Sequence, residues 1–175
     1  MNAALVQRLN RAALFLLVLV AAFLVAASAN AEELRGRVVG IVDGDTLDLL
    51  TAGKETVRLR LHGIDAPEAG QAYGTAAKAY TASRAAGADV VAQVVSRDRW
   101  GRAVVDVALA NGESLNRALV GRGLAWWAVE YAPQDKELER LEAEARAARR
   151  GLWADLNTAR PPVRPQDFRK PKGNP

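Results

Sequence analysis

Cysteine is absent from this chain of 175 residues, which excludes disulfide bonds and lipid attachment through a cysteine. Histidine occurs once, at His62, and it has no partner of matching chemistry for a metal site or a catalytic triad. We therefore expect His62 to be structural. The length is sufficient for one folded domain with an extension at each end.

Long apolar runs are also scarce, and the run at residues 12–27 is shorter than the ~20 residues that a membrane-spanning helix usually needs. Arg8 and Arg11 precede it, and Ala29-Asn30-Ala31 supplies the small residues that a signal peptidase prefers. Residues 1–31 are therefore predicted to be a signal peptide cleaved after Ala31. The mature protein would be exported, periplasmic or secreted, without stable membrane association. Retention of the segment as an N-terminal membrane anchor is the alternative.

The net charge of +4 comes from the two ends of the chain. Residues 32–157, which we take as the folded domain, carry 17 basic and 19 acidic side chains. Overall charge therefore does not indicate nucleic-acid binding by the domain, and only local clusters of arginine do. Residues 158–175 are basic, rich in proline and poor in apolar side chains, so we expect a disordered tail that adds affinity for polyanions.

Alternation and turn signals predict five short strands and three helices in the domain. The strands are expected at residues 34–42, 46–49, 57–61, 89–97 and 103–109, and the helices at 74–86, 114–122 and 134–150. Residues 57–61 alternate strictly, so Arg58 and Arg60 share one face of their strand. Three strands, a helix and two strands fit an α+β fold built on a small Greek-key barrel of the oligonucleotide-binding (OB) type.

Three short polar clusters interrupt the predicted strands. They read Asp43-Gly44-Asp45-Thr46, Arg60-Leu61-His62-Gly63-Ile64-Asp65-Ala66-Pro67-Glu68 and Asp98-Arg99-Trp100-Gly101-Arg102. Carboxylates can hold a hard cation through oxygen, and the planar guanidinium can bind phosphate through two hydrogen bonds at once. Together these groups supply what the hydrolysis of a phosphodiester bond requires.

With these clusters in this order, the chain resembles the thermonuclease family, the staphylococcal-nuclease-like phosphodiesterases. The likeness runs from Leu34 to Leu156, so it spans the whole predicted domain. The resemblance implies a five-stranded OB-fold Greek-key barrel with three helices. It also implies an endonuclease that hydrolyses DNA and RNA, prefers single-stranded or fraying strands and leaves 3′-phosphates. We expect it to act as a monomer.

The resemblance assigns a role to each acidic position. It places calcium (Ca2+) on the carboxylates of Asp45 and Asp65, with help from the main-chain carbonyl of Ala66. It makes Glu68 the group that accepts a proton from the attacking water, a form of catalysis that typically contributes about 10²–10⁴-fold. Asp43 is expected to make an Asx-type turn before Gly44.

The basic and aromatic positions are assigned in the same way. Arg60 and Arg102 would offset the negative charge that develops on the phosphate during hydrolysis. Arg99, Trp100 and Tyr131 would bind the nucleic acid, the two rings by stacking on bases or ribose. A substrate-facing tyrosine of well-studied relatives corresponds to Val129 here, which puts nucleotide affinity in doubt but not the chemistry.

Two other classes of function remain open at this stage. A non-catalytic OB-fold module that only binds nucleic acid would not need the acidic and basic set, yet Asp45, Arg60, Asp65, Glu68 and Arg102 are all present. A structural envelope protein would retain residues 1–31 as its anchor. A cleavage assay with and without chelator separates the first alternative from an enzyme, and the N-terminal sequence of the mature chain tests the second.

Overall fold

The computed structural model describes residues 32–154 and 162–170 of the chain, and five of its strands close into a barrel. The strands are β1 (Glu33–Ile41), β2 (Thr46–Thr51), β3 (Thr56–Leu61), β4 (Ile64–Asp65), β5 (Asp89–Arg97), β6 (Ala103–Ala108) and β7 (Trp126–Trp127). The barrel order is β1-β2-β3-β6-β5, with β5 returning to β1. The two-residue strands β4 and β7 pair with each other outside the barrel.

Three helices belong to the domain, as the sequence predicts. They are α1 (Gly74–Ala85), α2 (Leu115–Gly121) and α3 (Lys136–Ala147), followed by a 3₁₀ turn (Gly151–Trp153) and a one-turn helix α4 (Pro165–Phe168). The α+β fold class with a five-stranded barrel of OB type is confirmed. Helix α3 starts two residues later than predicted because the Asp135 side chain accepts the backbone N–H groups of Glu137 and Leu138, which makes Asp135 the N-cap.

Strict alternation along β3 divides its side chains between the barrel interior and the outer face. Leu59 and Leu61 are fully buried in the core, whereas Arg58 and Arg60 lie on the outer face. Burial of each leucine contributes roughly 2–3 kcal/mol, so a slip of one residue, which would exchange the two faces, is strongly disfavoured. The apolar pattern of β3 therefore determines where Arg60 points.

Strands β3 and β6 run parallel, with Leu59 opposite Ala103 and Arg60 opposite Val104. Ala103 is fully buried like Leu59, so the residues that flank Ala103 share the outer face with Arg60. Arg102 immediately precedes Ala103 and therefore emerges on that face, beside the middle of β3. The barrel topology thus brings Arg60 and Arg102, the two predicted phosphate-binding arginines, to the same side of the barrel.

Part of the tail predicted to be disordered has a defined place in the structure. Within residues 158–175, positions 162–170 are described; they include helix α4, and Pro165 is buried. Gln71 Nε2 donates a hydrogen bond to the Val163 carbonyl at 3.1 Å, which ties this segment to the domain. The predicted signal peptide, residues 1–31, lies outside the described residues.

None of the helices in residues 32–154 and 162–170 is long and apolar enough to cross a membrane.

Candidate functional site

The loop between β1 and β2 places Asp45 at the rim of the barrel. Asp43 Oδ1 accepts the backbone N–H of Asp45 at 3.1 Å, which is the expected Asx-type turn. From helix α1, the Thr81 hydroxyl donates to the Gly44 carbonyl at 2.6 Å and holds the loop from the other side. The Asp45 side chain is consequently buried, with 5% of the residue exposed.

Helix α1 also requires glycine at two positions of the site. A Cβ on Gly44 would lie 2.7 Å from the Cβ atoms of both Ala66 and Ala77, and a Cβ on Gly74 would lie 2.2 Å from the Glu68 carbonyl oxygen. Both separations are shorter than any ordinary van der Waals contact. The two glycines therefore let the β1–β2 loop and the acidic loop, residues 66–73 between β4 and α1, approach the helix closely.

Three charged side chains converge at this rim. Asp45 Oδ2 forms an ion pair with Arg60 Nη1, and Arg60 Nη2 donates to Asp65 Oδ1 at 2.8 Å. Asp65 is placed by the pairing of β4 with β7, in which it lies opposite Trp126. Asp45 and Asp65, which are 20 positions apart in the sequence, therefore contact the same guanidinium. Two ligands of one metal ion must lie close together in the same way.

Ala66 joins the same cluster through its backbone. Its N–H donates to Asp45 Oδ2 at 2.6 Å, and the Thr46 hydroxyl donates to Asp45 Oδ1 at 3.1 Å. Asp45 thus links its own loop to the acidic loop through a charge-assisted hydrogen bond. The predicted use of the Ala66 carbonyl as a metal ligand stays a prediction.

Burial governs the electrostatics of the two aspartates. It raises the pKa of Asp45 to about 7, although Arg60 and the N–H of Ala66 act in the opposite direction. Burial also raises the pKa of Asp65, against the effect of Arg60. A single guanidinium therefore does not fully compensate the two carboxylates, and a further positive charge beside them would favour their ionised forms.

The donor chemistry fits a hard divalent cation. Two carboxylates converge on one positive group, and carboxylate oxygen is the ligand type that calcium prefers. In the described part of the chain, no cluster of three or more acidic, histidine or cysteine side chains has the arrangement of a metal site. Asp45 and Asp65 are the carboxylates at this rim that could hold such an ion.

Glu68 lies in the acidic loop, three residues after Asp65. The Gln71 side chain accepts the N–H of Glu68 at 2.6 Å, and the N–H of Gln71 donates to the Glu68 carbonyl at 3.0 Å. The carboxylate is 35% exposed, and its Oε1 lies 3.6 Å from Arg169 Nε. Glu68 is close enough to Asp65 to raise the pKa of that aspartate. The base candidate is therefore adjacent to the carboxylate pair and open to water.

Arg102 is held by the hairpin that the antiparallel strands β5 and β6 form, with residues 98–102 at its tip. Its Nε donates to Asp98 Oδ2 at 2.6 Å, and its backbone N–H donates to Asp98 Oδ1 at 3.0 Å. Within the described ranges, no ion pair joins Arg102 to Asp45, Asp65 or Glu68. The structure therefore places Arg102 on the same outer face as Arg60 but outside the carboxylate cluster.

The predicted substrate-binding residues are strongly exposed. Trp100 is 66% exposed, and its ring lies 4.1 Å from the Arg99 guanidinium carbon and 5.2 Å from that of Arg102. Tyr131 is 74% exposed, on the loop that follows β7. Exposed rings next to guanidiniums are typical of surfaces that bind unpaired strands by stacking and charge.

Sequence reasoning missed three residues near the acids. Glu130 raises the pKa of Asp65, Arg169 lowers it, and Gln71 orients the acidic loop. Gln71 follows the motif by only three residues and could have been suspected as a loop brace. Glu130 lies between Val129 and Tyr131, two positions already linked to the substrate, and could have been suspected from that. Arg169 is far from every motif, so no pattern in the sequence indicates that it approaches the site.

Comparison with known proteins agrees with this arrangement. Residues 58–155 match the family described as Staphylococcal nuclease homologue. A protein of Escherichia coli named Protein ParB is 41% identical over 149 residues, which cover 80% of this chain and 84% of that protein. An uncharacterized endonuclease of Escherichia coli O157:H7 is 39% identical over 129 residues, 74% of this chain and 83% of its own length. A micrococcal nuclease of Shigella flexneri is 37% identical over 138 residues, covering 74% of this chain and 79% of that protein.

Proposed function

The chain belongs to the staphylococcal nuclease homologue family, and we propose that it is an exported, calcium-dependent endonuclease that cleaves both DNA and RNA. Hydrolysis of internal phosphodiester bonds follows from the family and from relatives named as nucleases. The observation that carries the calcium part of the proposal is the convergence of Asp45 and Asp65 on one positive group at the rim of the barrel.

The carboxylates of Asp45 and Asp65 and the carbonyl oxygen of Ala66 would hold calcium, which supplies positive charge to the phosphate when bound. The ion pairs of Arg60 with both carboxylates support this placement, because the two carboxylates face the same positive group. The raised pKa values of the two aspartates also favour an additional positive charge there.

Glu68 would take the proton from the water that attacks phosphorus. Its carboxylate is exposed to solvent and adjacent to Asp65, as a group that activates a water beside the phosphate needs to be. The leaving group is the 5′ oxygen of the next nucleotide, so the products would carry 3′-phosphates. This direction of cleavage is part of the proposal.

Arg60 and Arg102 would neutralise the negative charge that grows on the phosphate oxygens. Arg60 lies on the outer face of β3, and Arg102 directly precedes the neighbouring parallel strand β6, so one phosphate group would approach both from outside the barrel. To reach it, Arg102 would exchange Asp98 for the substrate, and bidentate phosphate binding can replace the contact it gives up.

A cleavage assay with a fluorescent single-stranded oligonucleotide tests the proposal. We expect turnover in calcium, loss of turnover on chelation and recovery when calcium is restored. Glu68→Gln, which preserves shape, should lower kcat at least 10²-fold. The control is Glu139→Gln, an exposed glutamate of α3 that pairs with Lys136. Strand binding without cleavage in any metal would instead favour a non-catalytic binding module.

Product analysis separates the remaining parts of the proposal. A phosphatase-sensitive 3′ end on the products supports cleavage of the 5′ bond, and a 3′-hydroxyl end contradicts it. Parallel digestion of single-stranded DNA, duplex DNA and RNA of one sequence gives the substrate preference, which we expect to favour unpaired strands.

Export is tested on the protein as cells produce it. A mature chain that begins at Glu32 supports cleavage of a signal peptide after Ala31. An intact Met1 end in the membrane fraction would show that residues 1–31 are kept as an anchor.

A further inference from the structure

The C-terminal segment, residues 162–170, lies against the acidic loop of the candidate site. Gln71 Nε2 donates to the Val163 carbonyl at 3.1 Å, and Arg164 Nη1 donates to the Trp127 carbonyl at 3.3 Å. One contact is to the acidic loop itself, and the other is to β7, the strand that pairs with β4. The segment is therefore attached to the two elements that position the acids.

These attachments bring Arg169 to the carboxylates. Its Nε lies 3.6 Å from Glu68 Oε1 and also donates to the Pro165 carbonyl at 3.2 Å, so the side chain is held at the end of helix α4. The charge of Arg169 also reaches Asp65, whose pKa it lowers. The side chain remains 60% exposed, which leaves much of the guanidinium accessible from solvent.

We propose that Arg169 is a substrate-binding residue of this chain, a third guanidinium that binds a phosphate of the nucleic acid next to the one being cleaved. The inference rests on the proposed function, because it takes a nucleic acid strand as the ligand of the site. An exposed ion pair such as Arg169–Glu68 is weak, so an incoming phosphate can replace Glu68 as the partner of the guanidinium. Glu68 is then released toward the attacking water.

The chemistry of the same segment favours a nucleic acid over a free anion. Phe168, next to Arg169, is 49% exposed, and Val163 is 48% exposed. An exposed aromatic ring beside a phosphate-binding arginine is the combination that binds unpaired strands, the ring on a base and the cation on the backbone. Phe168 and Arg169 would thus extend the binding surface beyond the barrel, on the side of the acidic loop.

Binding measured without hydrolysis tests the inference on the full chain. The probe is a fluorescent single-stranded DNA of ~12 nucleotides in chelator, with Kd followed by anisotropy across a series of salt concentrations. Loss of one phosphate contact should lower the slope of log K against log salt by about 0.7 for a single strand. We expect Arg169→Gln to show this change and to weaken binding about 5- to 10-fold, with partial recovery in Arg169→Lys.

Lys170→Gln is the matched control. It removes the same charge one residue away, but Lys170 pairs with Asp167 at 2.6 Å within the segment. We expect its Kd to stay within about 2-fold of the wild-type value, with an unchanged salt slope. In turnover assays Arg169→Gln should raise KM while kcat stays within about 3-fold, because the contact is to a phosphate that does not react.

Two results would overturn the inference. In the first, Arg169→Gln and Lys170→Gln match each other in Kd and salt slope. In the second, Arg169→Gln binds more tightly or turns over faster, which would mean that the segment covers the site. A wild-type chain that shows the Arg169 dependence but cleaves nothing would contradict the proposed nuclease and leave Arg169 as a binding residue.

Discussion

Two regions of the molecule each hold one of the predicted phosphate-binding arginines, and they hold it differently. Arg60 is paired with carboxylates from two other elements, Asp45 of the β1–β2 loop and Asp65 of β4. Arg102 is paired with Asp98, four residues earlier in its own hairpin. The two side chains are similarly exposed, at 19% and 29%, so exposure does not distinguish them. What differs is which parts of the chain each arginine joins.

The difference has an energetic consequence. Removing Arg60 would leave the buried carboxylate of Asp45 and the half-buried carboxylate of Asp65 without their shared partner, and loss of the partner of a buried charge is strongly destabilising. Removing Arg102 would release one carboxylate at a hairpin tip, where water can replace the lost partner. Arg60 thus contributes to both the fold and the proposed chemistry, whereas Arg102 can exchange partners at little cost to the fold.

The sharpest test of this comparison is Arg60→Ala. We expect kcat to fall at least 10³-fold, because the variant loses phosphate stabilisation and disturbs both aspartates. We also expect the free energy of unfolding in chelator to fall by about 3 kcal/mol. Denaturant titration and single-turnover cleavage measure the two effects. Arg58→Ala is the control on the same face of β3, since Arg58 is exposed and paired with Asp48. Equal losses of kcat and of unfolding free energy in the two variants would contradict the comparison.

Arg102→Ala should separate chemistry from stability. We expect kcat to fall at least 10²-fold while the free energy of unfolding changes by less than about 1 kcal/mol. Arg102→Lys should recover only part of the activity, because lysine keeps the charge but not the planar pair of donors. A loss of stability as large as that of Arg60→Ala would show that the hairpin is coupled to the carboxylate cluster.

The pH dependence of stability tests the burial of the Arg60 partners. The pKa of Asp45 in the folded state, about 7, lies above its ordinary value near 3.8, so the folded protein binds the proton more tightly. The contribution of Asp45 to the free energy of unfolding is therefore present below about pH 4 and is lost as the pH rises to about 7. We expect a loss of roughly 2–4 kcal/mol in chelator. Asp45→Asn should flatten this slope. Asp48→Asn, on β2 and paired with Arg58, should leave it unchanged.

Trp100→Ala is expected to have the smallest effect and concerns the hairpin alone. Loss of one stacking ring should weaken binding of single-stranded DNA about 5- to 10-fold, near the lower end for a base–aromatic contact, because Arg99 already lies against the ring. Trp100→Tyr should bind nearly as well as the wild type. Fluorescence anisotropy in chelator measures both, and thermal unfolding should be the same for all three proteins.

The barrel was accessible from sequence because its strands alternate clearly and their turns are marked. Leu59 and Leu61 on one face of β3 and Arg58 and Arg60 on the other follow from alternation alone. The convergence of Asp45 and Asp65 was expected from the family resemblance, and the structure provides the contacts. Strands β4 and β7 could not be predicted, because two-residue strands have no periodicity and depend on tertiary pairing.

Composition says least about the contacts of the C-terminal segment. A low apolar content is typical of disordered segments, whereas Pro165 is buried in this one. The Gln71 side chain donates to the Val163 carbonyl, and the Trp127 carbonyl accepts from the Arg164 side chain. These contacts join residues 92 and 37 positions apart in the chain, and no local pattern encodes them. The approach of Arg169 to Glu68 is hidden from sequence for the same reason.

Helix α1 has a consequence for how this molecule tolerates change. Gly44 packs against one side of the helix, and the Glu68 carbonyl lies at its first turn. The helix therefore sets the spacing between the β1–β2 loop and the acidic loop. Substitutions on its inner side, at Ala77 or Thr81, would alter that spacing without touching any charged group. Substitutions at the tip of the β5–β6 hairpin and in the C-terminal segment can change the substrate range more freely, because they leave helix α1 in place.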